Sequence, residues 1–229
     1  MVGCSIVYSY YENAEMLKVQ QSEWEKYPDD VEIIIVDDCS QKFPLKSVLR
    51  PNKRVKVYKL NTKLPFNFLA CRNVGYYNAS GHWVLNLDID HVIRSNDLQH
   101  LIIAIPILSE RKIYLFRRID VGSNTEIGSH GFCNFMTRQL FWNMGGYNER
   151  FSGKYHGVSG VHHSRFQQHA GEYIVLNIPL YLYDNSVVKD AVNMDFNRGE
   201  SISKEDRIFR RKANKLPILN LSFDYERIK

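Results

Sequence analysis

This chain has no apolar run long enough to cross a bilayer. The longest, residues 101–108, is short and interrupted by Pro106. The opening Met1-Val-Gly-Cys-Ser5 has no charged stretch ahead of an apolar one, so no secretory leader is expected. Cysteine is scarce: Cys4, Cys39, Cys71 and Cys133 lie far apart, with no Cys-x-x-Cys pair. That argues against a zinc ribbon or a disulfide framework and for free thiols in a reducing, cytoplasmic compartment. Also missing are G-x-x-x-x-G-K-[S/T], G-x-G-x-x-G and G-x-S-x-G. Without them the chain is neither a P-loop enzyme, nor a dinucleotide-binding fold, nor a hydrolase built on a nucleophile elbow. Internal repeats and low-complexity segments are absent too.

What is present is the composition of a globular domain: 229 residues, 44% hydrophobic and 24% charged, enough for a sizeable core. The formal net charge of +5 suits an anionic substrate without requiring nucleic acid. Lys and Arg are dispersed except for Arg207-Ile-Phe-Arg-Arg-Lys212, a solvated helix face or a lid over a bound anion.

Period and punctuation give the element order. Residues 4–9 read as a strand, and Asn13 opens a helix to about residue 26. The β-branched run 31–36 reads as a strand buried on both faces of a parallel sheet. A third strand covers 54–60, a helix 68–77 with Gly81 placed to terminate it, and a fourth strand 83–87. Ser95 caps a helix to about 104, stopped by Pro106. Alternation of this kind predicts an α/β fold, an open and mostly parallel sheet with helices on both faces. Beyond it the regularity fades: strands at 112–117 and 132–137, a polar loop at 120–131, a short helix at 138–144, a helix over 159–169, an extended segment at 174–183, a loop at 189–199 and a basic helix at 201–212.

The chemistry gathers where strands end. His82-Trp-Val-Leu-Asn-Leu-Asp-Ile-Asp-His91 closes on two carboxylates two residues apart, so Asp88 and Asp90 point the same way. Side by side they repel unless a cation lies between them, and Mn²⁺ or Mg²⁺ brings phosphate oxygens with it. His91 stands beside them as a further ligand or a ligand's partner. In an open α/β sheet, ligands bind outside the carboxyl ends of the strands. Ser9-Tyr10 and Asp37-Asp38 lie at two more such ends, where a carboxylate can accept from a base N–H and Tyr10 offers a ring face. Arg72 offers a planar fork to phosphate. The plain structural readings are turn chemistry for Asp37-Asp38 and packing for Tyr10 and Tyr11. An Asp-x-Asp-x-Thr phosphatase would carry its motif on the first strand, and here Val92 takes the Thr position. A receiver domain is much shorter.

Together these residues resemble the GT-A class of nucleotide-sugar glycosyltransferases, in particular the family 2-like group. Ser5-Ile-Val-Tyr-Ser-Tyr10 is similar to its first strand, and Glu32-Ile-Ile-Ile-Val-Asp-Asp-Cys-Ser40 to the strand ending in an acidic pair. Ala70-Cys-Arg-Asn-Val-Gly-Tyr-Tyr-Asn-Ala-Ser-Gly81 with 83–90 is similar to the helix–strand–DxD block. The resemblance implies one GT-A-like domain over 1–229, with a nucleotide-binding half at 1–95 and an acceptor-side half at 96–229. It implies that Asp38 meets the base, that Arg72 lies near the nucleotide, and that Asp88 and Asp90 meet the sugar diphosphate and a divalent metal. The partners implied are a nucleoside-diphosphate sugar, UDP-sugars favoured, and a glycan or glycoconjugate acceptor.

In the second half, Phe141-Trp-Asn-Met-Gly-Gly-Tyr-Asn-Glu-Arg-Phe151 resembles the acceptor-side segment of that family. A Gly-Glu-Asp stretch that commonly follows supplies the base, but here Val158 and Ser159 stand where the acids would fall. An inverting transfer needs a base to take the acceptor's proton. The candidates are His156, His162, His163 and the carboxylates Asp184 and Asp190. A retaining mechanism, or none, would follow if all of them fail. A nucleotidyltransferase on the same fold would want a glycine-rich basic loop after the first strand, and Ser9-Tyr10-Tyr11-Glu12 is not one. A nucleotide-sugar binder without turnover is favoured only by Val158 and Ser159.

Overall fold

The computed structural model describes residues 3–154, 162, 166–192 and 221–228. The frame grows from the β-branched run, which forms β2 (Val31–Asp37) with every residue buried. It lies parallel to β1 (Cys4–Tyr10) and to β3 (Val55–Leu60), and β4 (Trp83–Asp88) runs parallel to β1 on its other side. Alternate residues enter different cores, as a two-faced sheet requires. Ile6, Tyr8, Ile33, Ile35, Leu85 and Leu87 pack with Met16, Leu17 and Trp24 of helix α1 (Ala14–Trp24). Val7, Ile34, Val36 and Val84 pack on the opposite face with Leu69, Val74 and Tyr76. The last three belong to the helix Phe68–Asn78.

The chain continues through α2 (Leu45–Val48) and α3 (Phe68–Asn78), then β5 (His91–Val92) and α4 (Ser95–Ala104). After these come β6 (Tyr114–Asp120), β7 (Thr125–Ile127), β8 (Asn134–Thr137) and α5 (Arg138–Asn143). The last described strands are β9 (Ile174–Leu182) and β10 (Tyr225–Arg227). All ten strands form one sheet in the order β10-β3-β2-β1-β4-β8-β6-β9-β5, with β7 on β6. The half expected to be parallel is parallel. The second half mixes senses: β8 is antiparallel to β4 and β6, β5 to β9, while β9 runs parallel to β6.

Only Ile89 and Asp90 separate β4 from β5, yet β5 pairs with β9 at the far end of the strand order. Two residues span well under ~12 Å even when extended. The far end of the sheet must therefore curl back to the end of β4, which brings the turn after β9 to Asp90: the Tyr183 N–H donates to the Asp90 carbonyl at 2.9 Å.

Two expected caps differ. Asn13 precedes α1, but its amide donates to the Asp190 carbonyl at 2.5 Å. The cap comes instead from the Asp190 carboxylate, which accepts from the N–H groups of Glu15 and Met16, both at 2.7 Å. Asp190, a base candidate by sequence, is thus occupied as a helix cap. Ser95 is the first residue of α4 rather than its cap, and its hydroxyl donates to the Lys26 carbonyl at 2.7 Å. Gly81 does not end α3 in a left-handed turn. Its backbone lies against β1, where a Cβ would meet the Ser5 N at 2.7 Å. The basic segment 201–212 and most of the expected helix at 159–169 lie outside the described residues; within that helix, 166–170 is helical.

Candidate active site

The site forms at the carboxyl ends of β1, β2 and β4. Register puts Ser9 beside both Val36 and Asp88, and Tyr10 beside Asp37, so all three strand ends share one edge. Helix α3 ties them together. At its entrance the Asn67 N–H donates to Asp38 Oδ2 at 2.7 Å, and one turn on, Arg72 is hydrogen-bonded to Asp88. The helix can lie this close because residue 75 is glycine: a Cβ there would run into the Val7 side chain.

Arg72 is wholly buried. Its guanidinium carbon sits 4.8 Å from the ring centroids of Phe68 and Phe132 and 5.7 Å from that of Tyr147. Such a charge in an apolar cage needs compensation, which Nη2 receives from Asp88. Nε and Nη1 have no hydrogen-bond partner among the described residues, so donors remain for an incoming anion. Burial works against ionisation of Asp88, but Arg72, His130 and His91 together prevail and hold its carboxyl well below the usual range.

Asp37 and Asp38 divide their roles. Asp37 is buried, accepting from the Ser40 N–H at 2.8 Å and the Leu45 N–H at 3.1 Å, which builds the loop and starts α2. Asp38 has one oxygen on Asn67 and the other, Oδ1, buried without a hydrogen-bond partner among the described residues. Burial raises its pKa to about 7, partly offset by the Asn67 N–H. Both polar atoms of the Asn67 side chain are likewise buried and unpartnered among the described residues. Tyr10 presents no ring face: it is 1% exposed and its hydroxyl donates to the Phe43 carbonyl at 2.6 Å. Ser9 remains partly exposed at the edge.

Beyond Asp88 lies the metal-binding candidate. Single ligand atoms of Asp88, Asp90 and His91 all lie within 4.8 Å of one another. His91 Nδ1 is 2.7 Å from Asp90 Oδ1, and its Nε2 is 3.2 Å from Arg118 Nη1. Two carboxylates and an imidazole at this spacing fit Mn²⁺, and the carboxylates alone fit Mg²⁺. Sequence reasoning missed two neighbours, His130 and Cys133. His130 Nδ1 is 3.3 Å from Asp88 Oδ2, and Cys133 Sγ is 3.6 Å from the same oxygen. Burial opposes charge on His130, but Asp88 and Cys133 beside it carry its pKa to about 9. The signal available was a histidine at the end of a polar loop, three residues before a cysteine in the next expected strand.

Among the base candidates, His162 is 1% exposed and packed edge-on to Tyr147 at 4.9 Å, with Phe132 and Phe166 around it. Phe132 and Tyr147, two of the rings around it, also flank Arg72. Asp184 follows β9, with Oδ1 accepting from the Ser186 N–H at 2.9 Å and hydroxyl at 2.5 Å. The curl of the sheet brings that turn to the Asp-x-Asp. His156 and His163 lie outside the described residues. All four cysteines are free, and no described helix is long and apolar enough to cross a membrane.

The segment 141–151 is anchored to the same helix. Asn73 donates to the Tyr147 carbonyl and to Glu149 Oε1, both at 2.8 Å, and accepts from the Tyr147 N–H at 2.9 Å. Glu149 Oε2 accepts from the backbone N–H and hydroxyl of Ser222, both at 2.6 Å. Glu149 therefore holds the segment in place.

Comparison with solved structures bears on the fold. S. aureus TarS residues 1–349 in complex with UDP superposes with a TM-score of 0.65 at 20% identity, covering 79% of this chain and 60% of that one. The complex of the same fragment with UDP-GlcNAc gives 0.64 at 19% identity, covering 79% and 58%. Full TarS gives 0.68 at 17% identity, covering 92% of this chain and 38% of that one. The chain thus spans about 60% of the TarS fragment it matches, and the likeness establishes the GT-A fold. A search of curated proteins finds no match. The model of Glycosyl transferase family 2 matches residues 5–166, well over half of the sequence and including Asp38, Arg72, Asp88, Asp90 and His91, and the chain belongs to that family.

Proposed function

We propose that this chain is a metal-dependent glycosyltransferase that moves a hexosyl group from a nucleoside-diphosphate sugar, a UDP-sugar in preference, to a hydroxyl of a glycan or glycoconjugate. The reading is supported above all by one observation. Helix α3 holds Asp38 through Asn67 and Asp88 through Arg72, at the shared carboxyl edge of three parallel strands. Family membership and the UDP and UDP-GlcNAc complexes of TarS support the same choice.

The unpartnered Asp38 Oδ1 suits a base N–H, and the Asn67 amide suits a carbonyl beside it, the pattern uracil presents. The free Nε and Nη1 of Arg72 suit a diphosphate oxygen. Asp88, Asp90 and His91 would hold Mn²⁺ or Mg²⁺, which when bound neutralises charge on the diphosphate leaving group. The acceptor oxygen attacks the anomeric carbon, the bond to the diphosphate breaks, and the hydroxyl proton passes to a base. Inversion is favoured by the family resemblance. Asp184, brought to Asp90 by the curl of the sheet, is the base candidate the fold supports best, with His156 and His163 as alternatives. The whole of 1–229 acts as one GT-A-like domain in this reading, and its free thiols fit a cytoplasmic setting.

The test is a thermal-shift panel of nucleotide sugars with and without Mn²⁺, followed by an assay of nucleoside-diphosphate release on adding acceptor. A UDP-sugar is expected to stabilise the protein, more so with Mn²⁺, and acceptor to release UDP. Stabilisation by no donor contradicts the proposal, and binding without release reduces the protein to a binder.

A further inference from the structure

The geometry points to a second cation site next to the first, built from Asp88, His130 and Cys133 and selective for a thiophilic divalent ion of the Zn²⁺ class. The observation is the shape of the ligand triangle. Asp88 Oδ2 to His130 Nδ1 is 3.3 Å, Asp88 Oδ2 to Cys133 Sγ is 3.6 Å, and His130 Nδ1 to Cys133 Sγ is 3.8 Å. A tetrahedral zinc has bonds of about 2.0–2.1 Å to N or O and about 2.3 Å to S, which separates N from O by about 3.3 Å and either from S by about 3.5 Å. Three edges of such a tetrahedron are therefore nearly formed, with only the His130–Cys133 edge slightly long.

The chemistry of the set separates it from the Asp-x-Asp site. Asp88, Asp90 and His91 offer oxygen and imidazole, which suit Mn²⁺ and Mg²⁺. Cys133 brings sulfur, which those ions disfavour and Zn²⁺ or Co²⁺ accept. Asp88 divides its oxygens, Oδ1 hydrogen-bonded to Arg72 and Oδ2 facing His130 and Cys133, so an ion at the Asp-x-Asp site must share one of these oxygens. Cys133 is buried, but the other two ligands are open, with side chains 30% and 39% exposed for Asp88 and His130. An ion can enter past His130, and its fourth position is left for water or a diphosphate oxygen, as in zinc sites with three protein ligands.

The test is a titration of the full chain, its thiols kept reduced, with Co²⁺ as the spectroscopic stand-in for Zn²⁺. The wild type is expected to develop a near-ultraviolet thiolate-to-cobalt band that saturates stoichiometrically and is bleached by Zn²⁺. Cys133→Ser loses the band, though Cys4, Cys39 and Cys71 remain. His130→Ala, at a partly exposed loop position that keeps every thiol, weakens Co²⁺ binding by at least about tenfold, since loss of even an outer partner costs that much. Asp90→Asn keeps the band. A wild type without the band, a band that survives Cys133→Ser, His130→Ala binding Co²⁺ as tightly as wild type, or a band lost with Asp90→Asn each overturns the site. None of these readouts uses a nucleotide sugar, so failure of the donor proposal leaves the cobalt result standing, and the reverse.

Discussion

Arg72 and Asp88 form a hydrogen-bonded ion pair in which the arginine is wholly buried between two phenylalanines and the aspartate reaches the site. Removing Arg72 leaves a partly exposed carboxylate without its arginine partner, and removing Asp88 leaves a guanidinium buried among apolar rings. Arg72→Met is expected to cost on the order of 3 kcal/mol, the lower end for a broken buried pair because Asp88 is partly exposed. The double variant Arg72→Met/Asp88→Asn should recover most of that loss, because no unpaired charge remains. Urea unfolding of the single and double variants checks this. A double variant as unstable as the sum of the singles would mean the two residues are not coupled.

Asp38 carries a pH dependence with a definite sign. Its pKa rises from the ordinary 3.8 to about 7 on folding, so the folded chain favours the protonated form. Stability attributable to this group is full at low pH, falls as pH rises between those two values, and is flat above the higher one. Donor binding runs the other way, since only the carboxylate accepts a base N–H without competition from its own proton. Asp38→Asn should be more stable relative to wild type at pH ~8 than at pH ~4, while binding a UDP-sugar at least about tenfold more weakly at the higher pH. Unchanged affinity would remove Asp38 from the base site.

Gly146 has φ +63°, and a Cβ there would lie 3.0 Å from both Asn73 Oδ1 and a Trp142 ring atom. Gly146→Ala is expected to cost at least about 1–2 kcal/mol for the left-handed backbone alone. Asn73→Ala should cost about 1–3 kcal/mol by leaving the Tyr147 N–H unpaired. If both thermal midpoints match wild type, Asn73 is not the clamp that holds the segment 141–151.

The parallel half of the fold was legible because its signals are local. The run Val31 to Val36 has the composition of a strand buried on both faces, and Asp37, Asp88 and Asp90 follow strands directly. The remainder depended on contacts remote in sequence. β5, β7 and β10 are too short to show a period, and each exists because a longer strand accepts it. The cap of α1 comes from Asp190, which no window around Asn13 contains. Tyr10 read as a binding face because it ends a strand, yet its hydroxyl is held by the Phe43 carbonyl from the loop after β2, and the ring is buried. At the site, strand-end reasoning places Asp88 and the family resemblance places Arg72, but neither signal contains their ion pair; His130 and Cys133 lie between β7 and β8 and reach Asp88 only through the pairing of β8 with β4.

The central claim is that Asp90 and its neighbours bind donor diphosphate through a divalent cation. Calorimetric titration of a UDP-sugar into wild type and Asp90→Ala, each with Mn²⁺ and with chelator, tests it most directly. The account predicts that Mn²⁺ tightens binding to wild type by at least about a hundredfold, some 2.7 kcal/mol, and that Asp90→Ala binds with the weak, metal-independent affinity of chelated wild type. Equal Mn²⁺-dependent affinity in both proteins would contradict it.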